Sequence, residues 1–354
     1  IASPDQRFMR QALVLAKRGE GCVHPNPLVG AVLVKNGRVL SSGAHEAFGG
    51  PHAEVRALER YKKVPSGAIL YVTLEPCAHV GKTPPCVDLL WQKGVRRVVA
   101  AMKDPNPRVA GRGFARMRKH GFSVKVGVLE NEAKALNRHY LHWLSTKKPY
   151  VTLKMGQSLD GKIATRSGQS RWITGEASRR RVQEIRKSAD AILVGVNTIL
   201  ADDPLLSVRR QRLQPLKVIL DSELKTPTNA RIFSKDSPGP VLIAVTGKVS
   251  KKRMDAFRTR LSSSRVEILR FAQDDNKKVD VGAVLKALGK KGVTHLLIEG
   301  GGEVAADALF RGQVQEVYFF VAPLFVGGKR AVSSVGGDGI SELNQAVRVR
   351  KWET

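Results

Sequence analysis

The order of its apolar segments constrains this chain more than any other feature. A hairpin comes first, strands and helices then alternate, the alternation stops once, and it restarts. Ser3-Pro4-Asp5-Gln6 reads as a helix start, with Ser at the N-cap, Pro at N1 and Gln at N3. Phe8, Met9, Ala12, Leu13, Leu15 and Ala16 follow at helical spacing, and Gly19 and Gly21 end the helix. Asn36-Gly37 predicts a tight turn between strands at 30–35 and 38–45. Helices are expected at 52–63, 87–93, 114–120 and 130–143, with strands at 68–74, 96–102 and 123–128. This order predicts an α/β sandwich. The polar stretch 144–149, closed by Pro149, is the expected boundary, giving domains 1–147 and 148–354. Beyond it, strands are expected at 150–155, 191–194, 217–221, 241–245, 294–298 and 315–321, with helices at 176–187, 250–261, 281–288 and 303–310. Residues 225–240 and 272–278 are expected to be surface loops.

With 354 residues, 42 % of them hydrophobic, each half can bury a core. No run approaches the roughly 18 apolar residues of a membrane helix. Asp5, Arg7, Arg10 and Lys17 interrupt the opening segment, which does not read as a signal peptide. The expectation is a cytoplasmic protein without membrane contact. Three cysteines cannot build a disulfide framework, and Cys22 reads as a small buried or loop residue. The net charge of +29 is spread over both halves: 24 Lys and Arg against 10 Asp and Glu in residues 1–147, and 36 against 21 in residues 148–354. One or two phosphate sites need only a few basic residues, so most of the excess reads as a general surface property.

In the first half the informative residues are His52-Ala53-Glu54, Pro76-Cys77 and Cys86. One imidazole and two thiolates make the three-ligand set of a catalytic zinc with an open position. Glu54, two residues past His52, can move protons without binding the metal. His-x-Glu, then Pro-Cys, then a second Cys is the pattern of zinc deaminases. His79 also lies between the thiols, but a fourth protein ligand would close the water position, so it is not counted as one. Lys82 reads equally as a phosphate contact or a solvated side chain. Asn26, His45 and Asn106 are weaker candidates for holding a ring.

Base and nucleoside deaminases usually place two residues between their cysteines; this chain places eight. The run from Pro76 through Cys77-Ala78-His79-Val80-Gly81-Lys82-Thr83-Pro84-Pro85 to Cys86 resembles the bifunctional riboflavin-biosynthesis deaminase–reductase family. So do His24-Pro25-Asn26-Pro27-Leu28-Val29-Gly30 and Asp104-Pro105-Asn106-Pro107. The resemblance implies a cytidine-deaminase-like N-terminal domain that deaminates a diaminopyrimidine ribosyl phosphate. Zn2+ would be held by His52, Cys77 and Cys86, and protons moved by Glu54.

In the second half, Glu299-Gly300-Gly301-Gly302-Glu303 lies between an expected strand and helix, where glycines admit a ligand close to backbone N–H groups. It is not the Gly-x-Gly-x-x-Gly order after a first strand, which argues against a Rossmann domain. Together with the stretches 154–162, 168–174 and 195–204 it is similar to the reductase half of the same family, over roughly 150–328. That resemblance implies a dihydrofolate-reductase-like α/β domain using NADPH to reduce a ribosylamino group to ribitylamino. It assigns the cofactor to Gly156, Trp172, Thr198, Asp202, Ser222, Gly301, Gly302, Glu303, Val304, Ala305, Ala306 and Asp307. It assigns the substrate to Ser170, Arg186, Leu206, Arg209 and Glu299, with the two arginines as phosphate clamps. Lys154 and Asp160 would lie near the hydride site. It also implies a homo-oligomer formed through the reductase domain. The family normally adds a further strand beyond Trp352-Glu353-Thr354, so the expectation is either an exposed sheet edge or a segment that is supplied or disordered.

Two rivals remain. An RNA-editing (tRNA adenosine) deaminase with an accessory domain fits the +29 charge but neither the Cys77–Cys86 interval nor the second-half motifs. A non-catalytic zinc scaffold would have no use for Glu54.

Overall fold

The structure is a computed structural model that describes residues 3–78, 84–209, 213–261 and 264–353. His79 and Lys82 lie outside the described residues. The chain divides into two compact units, Ile1–Lys147 and Lys148–Thr354.

The first unit runs α1 (Pro4–Ala16), β1 (Gly30–Lys35), β2 (Arg38–Ala44), α2 (Ala53–Leu58), β3 (Ile69–Val72), α3 (Cys86–Gln92), β4 (Arg97–Ala100), α4 (Arg112–Lys119), β5 (Ser123–Val126), α5 (Glu130–Leu136) and α6 (Arg138–Thr146). Helix α1 starts on the expected reciprocal cap: Ser3 Oγ accepts from Gln6 N, and Gln6 Oε1 accepts from Ser3 N. The sheet order is β2-β1-β3-β4-β5, antiparallel at the hairpin and across β1–β3, parallel from β3 to β5. One apolar cluster joins a sheet face to Ala57, Leu90 and Met117 of α2, α3 and α4. The other joins the opposite face to Phe8, Met9 and Ala12 of α1 and Ala133 of α5. This is an α/β/α sandwich.

Two expectations change here. The helix expected over 130–143 is two helices, broken at Asn137. That side chain is buried and bonds both backbone groups of Leu28, accepting from its N–H at 2.8 Å and donating to its C=O at 3.0 Å. A tertiary hydrogen-bond pair overrides helical periodicity. Helix α2 is also shorter than expected, ending before the Tyr61 N–H turns back to Leu58 O.

The second unit runs β6 (Tyr150–Ser158), β7 (Lys162–Ala164), α7 (Glu176–Ser188), β8 (Ala191–Gly195), α8 (Val196–Asp202), β9 (Leu216–Leu220), β10 (Val241–Thr246), α9 (Lys251–Leu261), β11 (Val266–Phe271), α10 (Val281–Lys290), β12 (His295–Ile298), α11 (Gly302–Phe310), β13 (Glu316–Ala322) and β14 (Val332–Ser333). Seven strands form a parallel sheet in the order β11-β10-β9-β8-β12-β6-β13, and β14 pairs with β7. Parallel strands covered on both faces become continuous apolar runs. Accordingly β8 and β10 are buried throughout. One face packs on α10 and α11, the other on α7, α8 and α9.

Sequence reasoning missed β7, α8, β11 and β14. Strand β11 lies at a sheet edge and sets exposed Glu267 and Arg270 among partly buried residues and the buried Ile268, so charge hides the signal. Nor is 225–240 only a surface loop: Ala230, Ile232 and Ser237 are buried, and the buried Lys217 Nζ donates to the carbonyls of Ser237 and Pro238. Strand β13 is the other edge, with Phe319 and Val321 exposed.

Candidate active sites

In the first unit the three expected metal ligands meet. His52 is the N-cap of α2, Cys77 follows β3, and Cys86 is the first residue of α3. His52 Nδ1 lies 3.2 Å from Cys86 Sγ and 3.7 Å from Cys77 Sγ, and all three donor atoms fall within 4.8 Å of one another. Two sulfurs and one nitrogen at this separation suit zinc. The Cys86 thiol, hydrogen-bonded to Cys77, holds the Cys77 thiol well below its ordinary range at about 4, with His52 adding to the effect. That bond and burial push Cys86 upward. The hydrogen bond to Cys77 raises His52.

Glu54 sits in the first turn of α2, 3 % exposed. Burial pushes its carboxyl up to about 7; the negative Cys77 adds to this and His52 opposes it. A carboxyl balanced near neutrality can both accept and return a proton. Behind the cluster, His45 stands edge-on to His52 with ring centres 5.5 Å apart. Its Nδ1 lies 3.0 Å from Pro51 O and its Nε2 3.1 Å from Asn26 Nδ2. A carbonyl can only accept and an amide NH2 can only donate, so His45 is neutral with its proton on Nδ1. Burial lowers its pKa, consistent with that state. The structure therefore brings Asn26 and His45 together beside His52. Asn106 is instead a turn former, accepting from Arg108 N at 3.0 Å. Cys22 is part-buried and burial raises its thiol pKa.

In the second unit a groove of about 2530 Å³ opens beyond the carboxyl ends of β6, β8, β9 and β12. Open α/β sheets place ligands at such an end. Gly156 lies on β6, Thr198 and Asp202 on α8, and Ser222 just past β9; Gly301 precedes α11, and Gly302, Glu303, Val304, Ala306 and Asp307 belong to it. Ser170, Trp172, Arg186, Leu206, Arg209 and Glu299 line the same groove. Ala305 does not; it is fully buried in the core on the other side of α11, because one helix face cannot present five consecutive residues to a ligand.

Several of these residues have partners of their own. Trp172 is 71 % exposed, with the Arg179 guanidinium 4.5 Å above its ring. Arg186 is held by Glu299 in a two-pronged pair, Nε–Oε1 2.5 Å and Nη2–Oε2 2.8 Å, and its third nitrogen faces Ser207 O at 3.4 Å. Three of its five N–H groups are engaged in this way, so Arg186 braces Glu299 while lining the groove in which it is expected to meet a phosphate. Asp160 is a loop staple: it accepts from Ser158 Oγ, Val326 N and Gly327 N, which hold its carboxyl down at about 2. Ser170 Oγ donates to Asp202 Oδ1 at 2.7 Å. Arg209 is exposed, and its backbone N–H donates to Gln183.

Two walls escaped the sequence reading. Asp274, Asp275 and Asn276, in a stretch expected to be merely solvated, line the groove. So does a strap over the start of α11, where Gly336 N donates to Gly302 O and Gly337 N to Glu303 Oε1. A Cβ on Gly302 would stand 2.4 Å from Ser333 O, so only glycine admits the strap. The doubled glycines of 336–337 were the available signal.

Comparison with known proteins followed the same division. The family pattern described as "RibD C-terminal domain" matches residues 149–354, and "Cytidine and deoxycytidylate deaminase zinc-binding region" matches 2–102. The riboflavin biosynthesis protein RibD of Actinobacillus pleuropneumoniae is 44 % identical over 351 residues, covering 99 % of this chain and 92 % of that one. The Aquifex aeolicus protein of the same name is 40 % identical over 353 residues, covering 99 % and 95 %. Among solved structures, Acinetobacter baumannii RibD superposes with a TM-score of 0.85 at 36 % identity, covering 98 % of this chain and 93 % of that one. A diaminohydroxyphosphoribosylaminopyrimidine deaminase/5-amino-6-(5-phosphoribosylamino)uracil reductase from Thermotoga maritima gives 0.81 at 36 % identity, covering 96 % and 92 %.

Proposed function

This chain belongs to the bifunctional deaminase–reductase family of riboflavin biosynthesis, and on that premise we propose which residues carry each half of its chemistry. It is a zinc hydrolase and an NADPH-dependent oxidoreductase. It deaminates 2,5-diamino-6-(5-phosphoribosylamino)pyrimidin-4-one, then reduces the ribosyl chain of 5-amino-6-(5-phosphoribosylamino)uracil to the ribityl form. Full-length similarity to such enzymes leaves the RNA-editing reading without support.

Residues 1–147 carry the deaminase. His52, Cys77 and Cys86 would hold zinc, which would supply Lewis acidity toward water at neutral pH. Glu54 would carry one proton of the attacking water to the ring nitrogen, and then the second, from the hydroxyl so formed on the ring carbon, to the amino group that departs as ammonia. The observation that carries this is the convergence of three donor atoms beside a buried carboxyl whose pKa lies near 7.

Residues 148–354 carry the reductase. NADPH supplies the hydride. Gly156, Thr198, Asp202 and Ser222 contribute walls of the groove. The turn at Gly301 and Gly302 opens α11 on the groove, where its first N–H groups would be available to phosphates. Trp172 offers a flat exposed face, and Glu299, braced by Arg186, faces the substrate with Ser170, Leu206 and Arg209. Glycine at 302 supports this cradle, since a Cβ there would displace the strap. No described helix is long and apolar enough to cross a membrane; the cytoplasm is the compartment we assign. We assign self-association to the second unit, supported by the exposed Phe319 and Val321 on edge strand β13; sedimentation measures it.

The test is a coupled assay with zinc-loaded protein and the diaminopyrimidine ribosyl phosphate, following ammonia and NADPH together. Ammonia release followed by NADPH oxidation that depends on it supports both assignments. Salt-sensitive RNA binding with neither signal overturns them.

A further inference from the structure

In a Cys-x-x-Cys site one tight turn fixes the distance between the thiolates. Eight residues lie between Cys77 and Cys86, and the entropy of closing a loop grows with its length. Two contacts link the ends directly: Val87 N donates to Cys77 O at 3.2 Å and Cys86 N approaches Cys77 Sγ at 3.4 Å. A third element grips both ends from outside. Arg116 of α4 donates through Nη1 to Ala78 O at 3.0 Å, one residue past Cys77. Its Nη2 pairs with Asp88 Oδ1 at 2.6 Å, two residues past Cys86.

Helix α4 is itself fastened to the same loop. Glu75, two residues before Cys77 and 4 % exposed, accepts four backbone N–H groups: Asp104 at 3.2 Å, Gly111 at 3.0 Å, Gly113 at 2.8 Å and Phe114 at 3.2 Å. Three of these belong to the N-cap and first turn of α4, where donors lack intrahelical partners and a negative charge is favoured. Gly113 permits the close seating, since a Cβ there would lie 2.1 Å from Pro76 O. The Arg116–Asp88 pair is 40 % and 34 % exposed. Pairs this exposed contribute little to global stability. A clamp on both cysteine segments that adds little to folding is suited to orienting ligands.

We propose that Arg116 is a positioning residue for the metal centre, holding the segments of Cys77 and Cys86 in register from a helix that Glu75 caps. The inference rests on the zinc assignment above. Residues that orient metal ligands typically change metal affinity by roughly 10- to 100-fold when removed.

The experiment uses the full chain loaded with zinc or with cobalt(II). It reads the rate of metal transfer to a chromogenic chelator, the cobalt d–d spectrum, thermal unfolding and NADPH oxidation. Arg116→Ala is expected to release metal roughly 10-fold faster or more and to shift the cobalt spectrum. Unfolding temperature and NADPH oxidation on the deaminated substrate should stay as in the parent. Arg116→Lys, whose ammonium engages one acceptor at a time, should recover part of the retention, and Asp88→Asn should move it the same way by less. Parent-like retention and spectrum in Arg116→Ala overturn the proposal, as does metal loss that tracks a fall in unfolding temperature or a failure to fold. A parent chain that binds no stoichiometric metal overturns the zinc assignment instead.

Discussion

The two units assemble their chemistry by different means. In the first, His52 and Cys86 are 34 residues apart and meet with Cys77 at a single cluster. In the second, one groove draws its walls from segments scattered between Lys154 and Gly339. Metal ligation needs particular side-chain atoms, so it leaves a motif. A dinucleotide groove is made largely of backbone, glycines and shape, which many sequences satisfy. A change at the cluster should therefore remove one chemical step cleanly, whereas a change in the groove should disturb stability along with binding.

Glu54→Gln gives the sharpest version of that contrast. Ammonia release should fall by about 100- to 10,000-fold, with metal content unchanged and NADPH oxidation on supplied deaminated substrate intact. Ammonia release at the parent rate would break the comparison.

Next comes Arg186→Met in the groove. It strands Glu299, whose side chain is 5 % exposed and whose carboxyl Arg186 holds down against the upward push of burial. Removing one partner of a buried pair costs about 3–5 kcal/mol, readable by calorimetry as a large fall in the second unit's unfolding temperature. Adding Glu299→Leu should recover most of that stability and none of the NADPH oxidation. If the single variant is as stable as the parent, the pair is not a brace.

Gly302→Ala should cost less. Its Cβ would press on Ser333 O, and overpacking of this kind costs about 1–3 kcal/mol. NADPH titration by fluorescence should show weakened binding while deamination holds. Unchanged NADPH affinity would remove the strap from the cofactor site.

The smallest effect concerns the cores. The second unit buries Lys217, and burial, with Arg265 adding, pulls its pKa down to about 8. The folded chain then sheds this proton at a lower pH than the unfolded chain, whose lysine titrates near 10.5. Stability should rise between those values and be lost as pH falls through the lower one. Lys217→Met should flatten that part of the unfolding-temperature profile. An unchanged slope would mean that the ammonium stays charged among its carbonyls.

Much of the fold was legible because its signals are local. The Ser3 cap, the Asn36-Gly37 turn and the apolar runs of β8 and β10 read correctly, since each depends on neighbours in sequence. The break at Asn137 did not, because its cause is a hydrogen-bond pair with Leu28, 109 residues away. The cluster of His52, Cys77 and Cys86 was visible from residue type and spacing. Arg116 was not, since nothing in a basic stretch marks which arginine meets a carbonyl and a carboxylate.

By itself the sequence determined two α/β units, a zinc-type ligand set with a carboxyl beside it, and a glycine turn opening a helix. These follow from periodicity and from side-chain chemistry that only certain residues possess. Tertiary structure alone decided that Arg186 braces Glu299, that Asp160 staples a loop, that Ala305 turns into the core, and that a strap over Gly302 closes one groove wall. The physical reason is common to all four: an ionic or backbone group takes its role from the partner it meets, and those partners come from distant parts of the chain.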